Sequence, residues 1–469
     1  MKLLSSIALI FFLISYSSFA QKDGNRRLQG SWLGKIKSNA IELRVVFNFK
    51  QSGDSLKATL DSPDQGAKDI PVNKGWINGD SVFITASLLN GKYKGLMQVG
   101  DSTIEGLWTQ GSYSSALSLH LLAGTLVIRR PQEPHEPFPY KSEDIVFSNK
   151  TARIELAGTL TIPEGKGPFA AVVLVTGSGP QNRNEELLGH KPFLVLSDFL
   201  TRNGIAVLRY DDRGTNKSKG NFARSTTFDF ADDAEAAFNY LLTRNEINPE
   251  KIGIAGHSEG GMIAPVIAAR NKKVRFIILL AGPGITGREI LLRQTALISK
   301  AYGMSDGKID SAIAINNKIY NVIEKESDSL IASRKIKQII AEEYKGSSKE
   351  EKKQESINAE QAIRQVNTRW FRTFLRFNPA IYLSKVQCPV LALNGANDLQ
   401  VPPDEDLNAI LDIMEKTGNK FYQINKLPEL NHLFQHSKTG LPAEYNQIEE
   451  TFAPEAMQVI VDWLKRITE

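Results

Sequence analysis

The residues with the strongest chemical signal surround Ser258, in the stretch "IGIAGHSEGGMIAP" from Ile252 to Pro265. A β-branched run precedes this serine, and a run of helical character rich in Ala, Ile and Met follows it. Glycines two positions before and two after the serine suit a strand-to-helix turn so sharp that a Cβ would collide with neighbouring backbone. Such a turn exposes the Ser258 hydroxyl, and the backbone N–H of Glu259 would face an oxyanion formed by attack on a carbonyl. The pattern therefore predicts a nucleophilic serine, with a purely structural turn as the alternative.

A serine hydroxyl needs a base to remove its proton, and in this layout the partners follow in the chain order Ser, acid, His. Of the six histidines, His432 and His436 are the ones that follow the serine region. We favour His432 because it comes directly after the last predicted strand, where a loop can carry it over the serine. His436 lies in more polar surroundings, and a structural histidine is the alternative for either residue.

The predicted acid is Asp398 in "LALNGANDLQVPP", at the carboxyl end of a predicted strand and therefore at the same sheet edge as the serine. Glu429 is the rival, because it is close to His432 in sequence. Three further acids fit the first turn of the next helix, which favours negative charge without any catalysis: Asp404, Glu405 and Asp406.

A second oxyanion donor is expected from the loop "VTGSGPQNRNE", Val175 to Glu185, which follows an early strand. The backbone N–H of Ser178 is the first choice and that of Gly179 the next, and a merely flexible loop is the alternative. The later loop "RYDDRGTNKS" carries Asp211, Asp212 and Arg213, which could bind a substrate charge, although an ion-paired structural loop is favoured.

The charge, the cysteine count and the N-terminal segment restrict the kind of protein that this chain can be. The 469 residues carry a formal charge of +5 spread along the chain, without a basic block interleaved with aromatics, which argues against a nucleic-acid partner. Cys388 is the single cysteine, so an intramolecular disulfide is impossible. Residues 1–20 read as a signal peptide, with an uncleaved anchor as the alternative, and no later segment is long and apolar enough to span a membrane. We expect an exported protein, periplasmic or secreted, and the sequence carries no signal of oligomeric state.

The order of predicted strands and helices along the chain indicates several domains. Short alternating strands over residues 28–129 indicate an antiparallel β barrel or sandwich, and the proline-rich residues 130–143 indicate a linker. Residues 144–469 alternate apolar strands with helices, which is typical of an α/β fold with a mostly parallel sheet covered by helices. A helix-rich insertion over residues 285–380 is predicted to form a cap, in which the aromatic stretch "RWFRTFLRF" is interpreted as helix packing rather than a ligand-binding surface.

Six motifs taken together resemble the α/β-hydrolase superfamily, and more narrowly the bacterial EstD-type carboxylesterases: "LAGTLTIP", "TGSGPQNRNE", "YDDRGTNKS", "GHSEGGMIAP", "NGANDLQVP" and "LNHLFQ". The resemblance implies a β-rich N-terminal module, an α/β-hydrolase domain and a helical cap. It also implies a triad of Ser258, Asp398 and His432 that hydrolyses short-chain acyl esters without a metal or organic cofactor. Thr215 and Asn216 depart from the small residue and glycine that often follow "DDRG", which puts the shape of that loop in doubt.

The functional hypothesis is therefore a serine esterase that acts on a small-molecule ester through an acyl-enzyme. An exported serine peptidase of prolyl-oligopeptidase type is a second hypothesis, although about a hundred residues before the hydrolase domain are too few for its propeller. A non-catalytic surface binding protein is a third, and the complete set of Ser, Asp and His positions argues against it.

Overall fold

A computed structural model of the protein describes residues 27–468 apart from 39–40, 53–54, 66, 112, 125–128, 344–358 and 361. The predicted signal peptide lies outside the described residues. Within the described part of the chain, no helix combines the length and the apolar character needed to cross a membrane.

The chain divides into two compact units. The first runs to Arg129 and also contains Ala443–Gln447, and the second consists of Arg130–Pro442 and the residues from Ile448 onward. The proline-rich residues after Arg129 thus belong to the second unit, where the side chain of Gln132 accepts the N–H of Thr451 at 2.6 Å and donates to the carbonyl of Phe452 at 2.7 Å. The first strand of this unit begins at Lys141, within the range predicted as linker.

The described residues of the first unit form one antiparallel sheet of nine strands, in the order β4-β3-β2-β1-β9-β8-β7-β6-β5. Alternating apolar side chains fill its core, with Trp32, Phe47 and Trp108 at or below 1% exposure. The sheet is rolled, because a Cβ on Gly75 of the last strand in this order would lie 2.7 Å from the ring of Phe49 near the other edge. The strands are β1 (Gly30–Ser38), β2 (Ile41–Ser52), β3 (Ser55–Ser62), β4 (Ala67–Val72), β5 (Lys74–Asn78), β6 (Ser81–Ala86), β7 (Gly91–Met97), β8 (Thr103–Gln110) and β9 (Tyr113–Leu121).

The second unit contains an eight-stranded sheet in its described residues, in the order β10-β11-β13-β12-β14-β15-β16-β17. β10 and β11 join it in antiparallel fashion, and all later pairings are parallel. The carboxyl ends of the parallel strands therefore meet at one edge. The strands are β10 (Lys141–Asn149), β11 (Ile154–Ile162), β12 (Phe169–Val175), β13 (Ile205–Tyr210), β14 (Ile247–His257), β15 (Phe276–Leu280), β16 (Val390–Gly395) and β17 (Tyr422–Leu427).

Helices cover both faces of this sheet, and each face has its own apolar core. Near-continuous burial of strands such as β13 and β15 follows from this double cover. The described helices are α1 (Pro192–Arg202), α2 (Thr227–Leu241), α3 (Glu259–Arg270), α4 (Gly287–Ala301), α5 (Asp306–Lys325), α6 (Ser329–Glu343), α7 (Arg369–Arg376), α8 (Ala380–Leu383), α9 (Pro403–Thr417), α10 (Pro442–Tyr445) and α11 (Pro454–Thr468).

The described residues between β15 and β16 are largely helical, as predicted, and hold the cap helices α4 to α7 followed by the short α8. The cap helices form a small core of their own that includes Tyr320, Ile323, Ile336 and Leu375. The α/β-hydrolase fold with a helical cap and an N-terminal antiparallel β domain, predicted from the sequence, is confirmed.

Candidate active site

Ser258 stands in the turn between β14 and α3, at the carboxyl edge of the sheet. Its φ of 53° and ψ of −115° are sparsely populated by residues with a side chain. The turn is held in this shape by parallel pairing of β14 on both sides and by a 2.8 Å hydrogen bond from the Ser258 N–H to the carbonyl of Leu280. A strained turn held this firmly presents the hydroxyl in a fixed position.

Glycine is required on both sides of this serine because the backbone passes so close. A Cβ on Gly256 would lie 1.9 Å from the carbonyl oxygen of Gly260, and a Cβ on Gly260 would lie 2.2 Å from the carbonyl oxygen of Val175. These two carbonyl groups belong to the first turn of α3 and to the paired strand β12 and cannot move aside, so no larger residue fits. This is the physical reason expected from the sequence pattern.

His432 and Asp398 lie together at the same edge, after β17 and β16. The His432 Nδ1 is 2.7 Å from the Asp398 Oδ2, and both side chains are buried. The other carboxylate oxygen of Asp398 accepts the N–H groups of Gln400 at 2.8 Å and Val401 at 2.9 Å. The contact between His432 Nδ1 and the Asp398 carboxylate assigns the proton of His432 to Nδ1, which leaves Nε2 as the basic nitrogen. Ser258 and His432 line one cavity.

The rival residues lie in different surroundings. The ring of His436 is bonded to Glu450 at Nδ1 and to Glu455 at Nε2, each at 2.9 Å, and its side chain is 46% exposed. Glu429 is exposed. Among the described residues, the carboxylate bonded to His432 is that of Asp398.

The cavity above Ser258 has a volume of about 210 Å³ and extends toward the cap. Cap helices α4 and α7 contribute much of its apolar surface, including Ile290, Leu291, Trp370 and Phe374. The aromatic stretch packs as interpreted, because Phe374 belongs to an apolar core of the unit, Trp370 packs against that core and Leu375 belongs to the cap core. Trp370 and Phe374 also line the cavity, which the sequence did not predict. Helical spacing could not reveal this, because one face of α7 meets the cap and another meets the cavity.

Ser178 and Gly179 differ in their relation to this cavity. Ser178 lines it, whereas Gly179, with a φ of 101°, is not among the described residues that line it. A Cβ on Gly177 would lie 3.2 Å from the Cβ of Ser258, so this loop passes directly beside the serine. The Gly177 N–H is already bonded to the Glu185 Oε1 at 2.8 Å, which leaves Ser178 as the better candidate for an oxyanion donor.

Asp212 stabilises the loop that carries Ser178. Its two carboxylate oxygens accept the Thr176 hydroxyl and the Gln181 N–H, each at 2.9 Å. Burial raises the pKa of Asp212 to about 8, with hydrogen bonds from Gln181 and Thr176 acting in the opposite direction. The structure therefore gives Asp212 a bracing role, which agrees with the favoured interpretation of its segment.

The neighbouring residues of that segment are also ion-paired. Arg183 Nη2 lies 2.8 Å from the Asp211 Oδ2, and Arg213 Nε lies 2.6 Å from the Asp233 Oδ2, all within buried surroundings. The favoured interpretation of an ion-paired structural loop is confirmed for Asp211 and Arg213.

Sequence reasoning missed a buried pair formed by His257 and Glu185. The His257 Nδ1 is 2.9 Å from the Glu185 Oε1, and its Nε2 is 2.9 Å from the carbonyl oxygen of His432. The Glu185 carboxylate and the His432 carbonyl are both hydrogen-bond acceptors, whereas a neutral imidazole has a single N–H to donate. The pair of His257 and Glu185 must therefore hold one proton more than a neutral imidazole and a carboxylate together. Burial lowers the pKa of His257, but the charge and hydrogen bond of Glu185 raise it, and the net shift is upward.

Sequence reasoning also missed a contact between the cap and residues 256–260, the turn around Ser258 that we call the elbow. The indole Nε1 of Trp370 donates to both carboxylate oxygens of Glu259, at 2.8 and 3.0 Å, and the Thr227 hydroxyl donates at 2.6 Å. Burial raises the pKa of Glu259, against hydrogen bonds from Thr227, Trp370 and Ser178. One buried carboxylate thus connects α2, α3 and the cap. In the described part of the chain, no group of three or more His, Cys, Asp or Glu side chains is arranged to hold a metal ion.

This geometry agrees with a sequence comparison. The hydrolase family described as serine aminopeptidase, S33, matches residues 192–436, which is just over half of the chain. The chain belongs to this family. Its members are serine hydrolases of the α/β-hydrolase type, so the superfamily expected from the sequence motifs is confirmed.

Individual relatives include esterase EstD of Thermotoga maritima, which is 26% identical over 311 residues, or 66% of this chain and 64% of EstD. YfhR of Escherichia coli K12 is 29% identical over 145 residues, or 30% of this chain and 48% of YfhR. The matches therefore span less than two thirds of either relative's own length. Among solved structures, the Pyrococcus furiosus esterase Pf2001 is 15% identical with a TM-score of 0.42, covering 74% of this chain and 100% of that one. Proline iminopeptidase of Mycobacterium smegmatis is 15% identical with a TM-score of 0.41, covering 69% and 98%.

Proposed function

We propose that this protein is a serine carboxylesterase that cleaves esters with short acyl groups. The observation that carries the proposal is that Ser258, in a strained turn, shares a cavity with His432, whose Nδ1 is 2.7 Å from the buried Asp398. A serine, an imidazole and an orienting carboxylate in this order form the nucleophile system of acyl-transfer enzymes.

In the proposed mechanism, His432 Nε2 takes the proton of the Ser258 hydroxyl as the oxygen attacks the ester carbonyl. The tetrahedral oxyanion is stabilised by the backbone N–H groups of Glu259 and Ser178. His432 then protonates the departing alcohol, and an acyl-enzyme remains. Water, deprotonated by the same imidazole, hydrolyses the acyl-enzyme and regenerates Ser258, while Asp398 keeps His432 in the required tautomer.

The size of the cavity supports short acyl groups. Its volume of about 210 Å³ lies below the roughly 300–1,000 Å³ of sites that hold drug-sized ligands. Its apolar lining from α4 and α7 suits an acyl chain, and long chains would have to displace the cap.

The family name makes aminopeptidase activity the second candidate. An aminopeptidase must hold the free ammonium group of its substrate, which requires an uncompensated negative charge near the serine. Glu185 supplies the one carboxylate among the described residues that line the cavity, and its charge faces His257. This pairing favours an ester over a peptide with a free amino terminus.

The test compares wild type with Ser258→Ala on nitrophenyl esters from acetyl to dodecanoyl and on aminoacyl nitroanilides. We expect the highest kcat/KM for the shortest acyl groups, little turnover of anilides, and a loss of about 10⁵-fold or more in Ser258→Ala. Ser311→Ala, at an exposed serine on cap helix α5, is the matched control and should retain full activity. Full activity in Ser258→Ala, or no labelling of folded wild type by a fluorophosphonate, would overturn the proposal. Preference for the anilides would replace the esterase with the peptidase.

A further inference from the structure

A second cavity of the hydrolase unit, of about 290 Å³, shares no described lining residue with the catalytic cavity. We call it the arginine groove and define it by Asp144, Asn182, Arg183, Asn184, Arg209 and Lys217. It lies where β11 and β13 meet the loop that joins β12 to α1. Nothing in the proposed ester hydrolysis uses these side chains.

Two of the three cations in the arginine groove are matched by acids. Arg183 bonds to the Asp211 Oδ2 at 2.8 Å and to the Asp144 Oδ1 at 2.9 Å. Lys217 Nζ lies 3.2 Å from the other carboxylate oxygen of Asp144. Among the described residues that line the groove, Asp144 supplies the one carboxylate, and Asp211 is a buried partner of Arg183.

Arg209 is the cation without such a match. It is 6% exposed, its Nη1 donates to the amide oxygen of Asn184, and its Nε, itself enclosed by protein, has no acceptor among the described residues. Burial lowers the pKa of Arg209 to about 10, and the neighbouring charge of Arg183 acts in the same direction. A buried guanidinium is costly unless it is paired, so this side chain lacks the partner that such a group normally has.

We propose that the arginine groove is a binding site for a small monoanionic carboxylate, held by Arg209 with Lys217 at the rim. Three cations face two acids among the described residues there, so one positive charge is left over and a single negative charge balances it. The planar guanidinium of Arg209 matches a carboxylate in geometry. A phosphate dianion would overcompensate that charge beside Asp144 and Asp211.

The arginine groove is also connected to the catalytic loop. Asn184 accepts from Arg209, and the next residue, Glu185, bonds to the Gly177 N–H and to His257. An anion on Arg209 would therefore act on the segment that passes beside Ser258. The binding site itself does not depend on the proposed esterase function.

The test measures acetate binding to Ser258→Ala protein by calorimetry and by the thermal unfolding midpoint, at constant ionic strength set with chloride. Using this variant separates the result from catalysis. We expect the midpoint to rise with acetate, because a ligand that binds the folded state stabilises it. Adding Arg209→Gln should weaken acetate binding by about tenfold or more, and Lys217→Ala by about threefold. Lys308→Ala, at an exposed lysine on α5, should leave binding unchanged.

The proposal is overturned when acetate acts no differently from chloride, or when Arg209→Gln binds acetate as well as its parent does. Tighter binding of inorganic phosphate than of acetate would overturn the assignment to a carboxylate. Should Arg209→Gln fail to fold, Lys217→Glu decides the matter, because this side chain is 65% exposed and the reversed charge must weaken acetate binding. Undiminished binding in Lys217→Glu would also refute the site.

Discussion

Glu185 and His257 form a buried pair in which the Glu185 Oε1 lies 2.9 Å from the His257 Nδ1. The same oxygen accepts the N–H of Gly177, beside Ser258, and the other ring nitrogen of His257 bonds to the carbonyl of His432. The pair therefore connects the loop proposed to bind the oxyanion with the loop that carries the proposed base. We infer that it holds the two loops at their working separation.

Glu185→Gln tests this positioning role. We expect kcat to fall by about tenfold with little change in KM, because a displaced oxyanion donor weakens transition-state binding more than substrate binding. Glu186→Gln, at the exposed neighbouring acid, is the control and should retain wild-type kcat. An unchanged kcat in Glu185→Gln would show that the pair serves stability alone.

The stability of the pair should also depend on pH. The folded state raises the pKa of His257, so the stabilisation is fully present below the unfolded value of about 6.5 and is lost as pH rises through the folded pKa. We expect the free energy of unfolding in urea to fall as pH rises above about 6.5 by more in wild type than in Glu185→Gln. Equal slopes in the two proteins would contradict a shared proton in this pair.

Asp398→Asn should separate the proposed triad from its rival acid. The amide can still accept the N–H groups of Gln400 and Val401, so the loop should keep its shape, but it would turn His432 to the wrong tautomer. We expect kcat to fall by about 10⁴-fold with little change in the midpoint of thermal unfolding. Glu429→Gln is the matched control, and a larger loss there than in Asp398→Asn would reassign the acid.

Local patterns account for what the sequence predicted well. The glycines around Ser258 and the alternation of apolar strands with helices depend on neighbours in the chain, and each is visible in one stretch of sequence. Asp398 and His432 could be proposed because parallel strands carry their following loops to one edge. That rule needs the order of elements and no side-chain detail.

Contacts between distant segments account for what the sequence did not predict. Glu185 and His257 are 72 positions apart, and Trp370 and Glu259 are 111 apart. Neither pair has a periodicity, and the direction of α7 is set by cap packing that spacing alone does not determine. One signal was available for His257 and Glu259, since both polar side chains flank Ser258 in a turn where burial would demand partners.

Trp370→Phe should loosen the cap from the elbow while keeping an aromatic ring at the cavity. The indole N–H bonds to a buried carboxylate, and hydrogen bonds to charged groups contribute about 1.5–3 kcal/mol. We expect the steep preference for short acyl groups to flatten, with relative kcat/KM for long esters rising about threefold or more. Trp76→Phe, in the N-terminal unit, is the control. An unchanged ratio of long to short esters would show that Trp370 does not restrain the cap.

Asp406→Asn addresses a buried acid of α9 that bonds to the start of the cap insertion. The Asp406 Oδ1 accepts the N–H groups of Gly284 and Ile285 at 2.6 and 3.1 Å, whereas the Oδ2 has no hydrogen-bond partner among the described residues. Burial raises the pKa of Asp406 to about 7, so its contribution to stability is present below the unfolded pKa of about 3.9 and is lost as pH rises through the folded value.

We therefore expect wild type to lose stability between about pH 5 and about pH 8, and Asp406→Asn to lose less, so that the variant is the more stable protein at the upper end. Urea unfolding across this range measures the difference. Asp404→Asn, at the exposed acid of the same helical turn, should follow the wild-type curve. An Asp406→Asn curve parallel to wild type would rule out ionisation of Asp406 in this range.

Gly260→Ala tests whether the elbow tolerates any side chain. The added Cβ would lie 2.2 Å from the carbonyl oxygen of Val175 in β12, a strand paired on both sides, so the turn itself would have to open. Overpacking of this kind costs about 1–3 kcal/mol or more, and the displaced Ser258 should lose activity in the fraction that still folds. Gly307→Ala is the control, since a Cβ there meets no atom within 4 Å and Ala is the better helix former. Urea unfolding of both variants should therefore move in opposite directions, and a Gly260→Ala protein as stable as wild type would mean that the turn does not need the close approach of its two glycines.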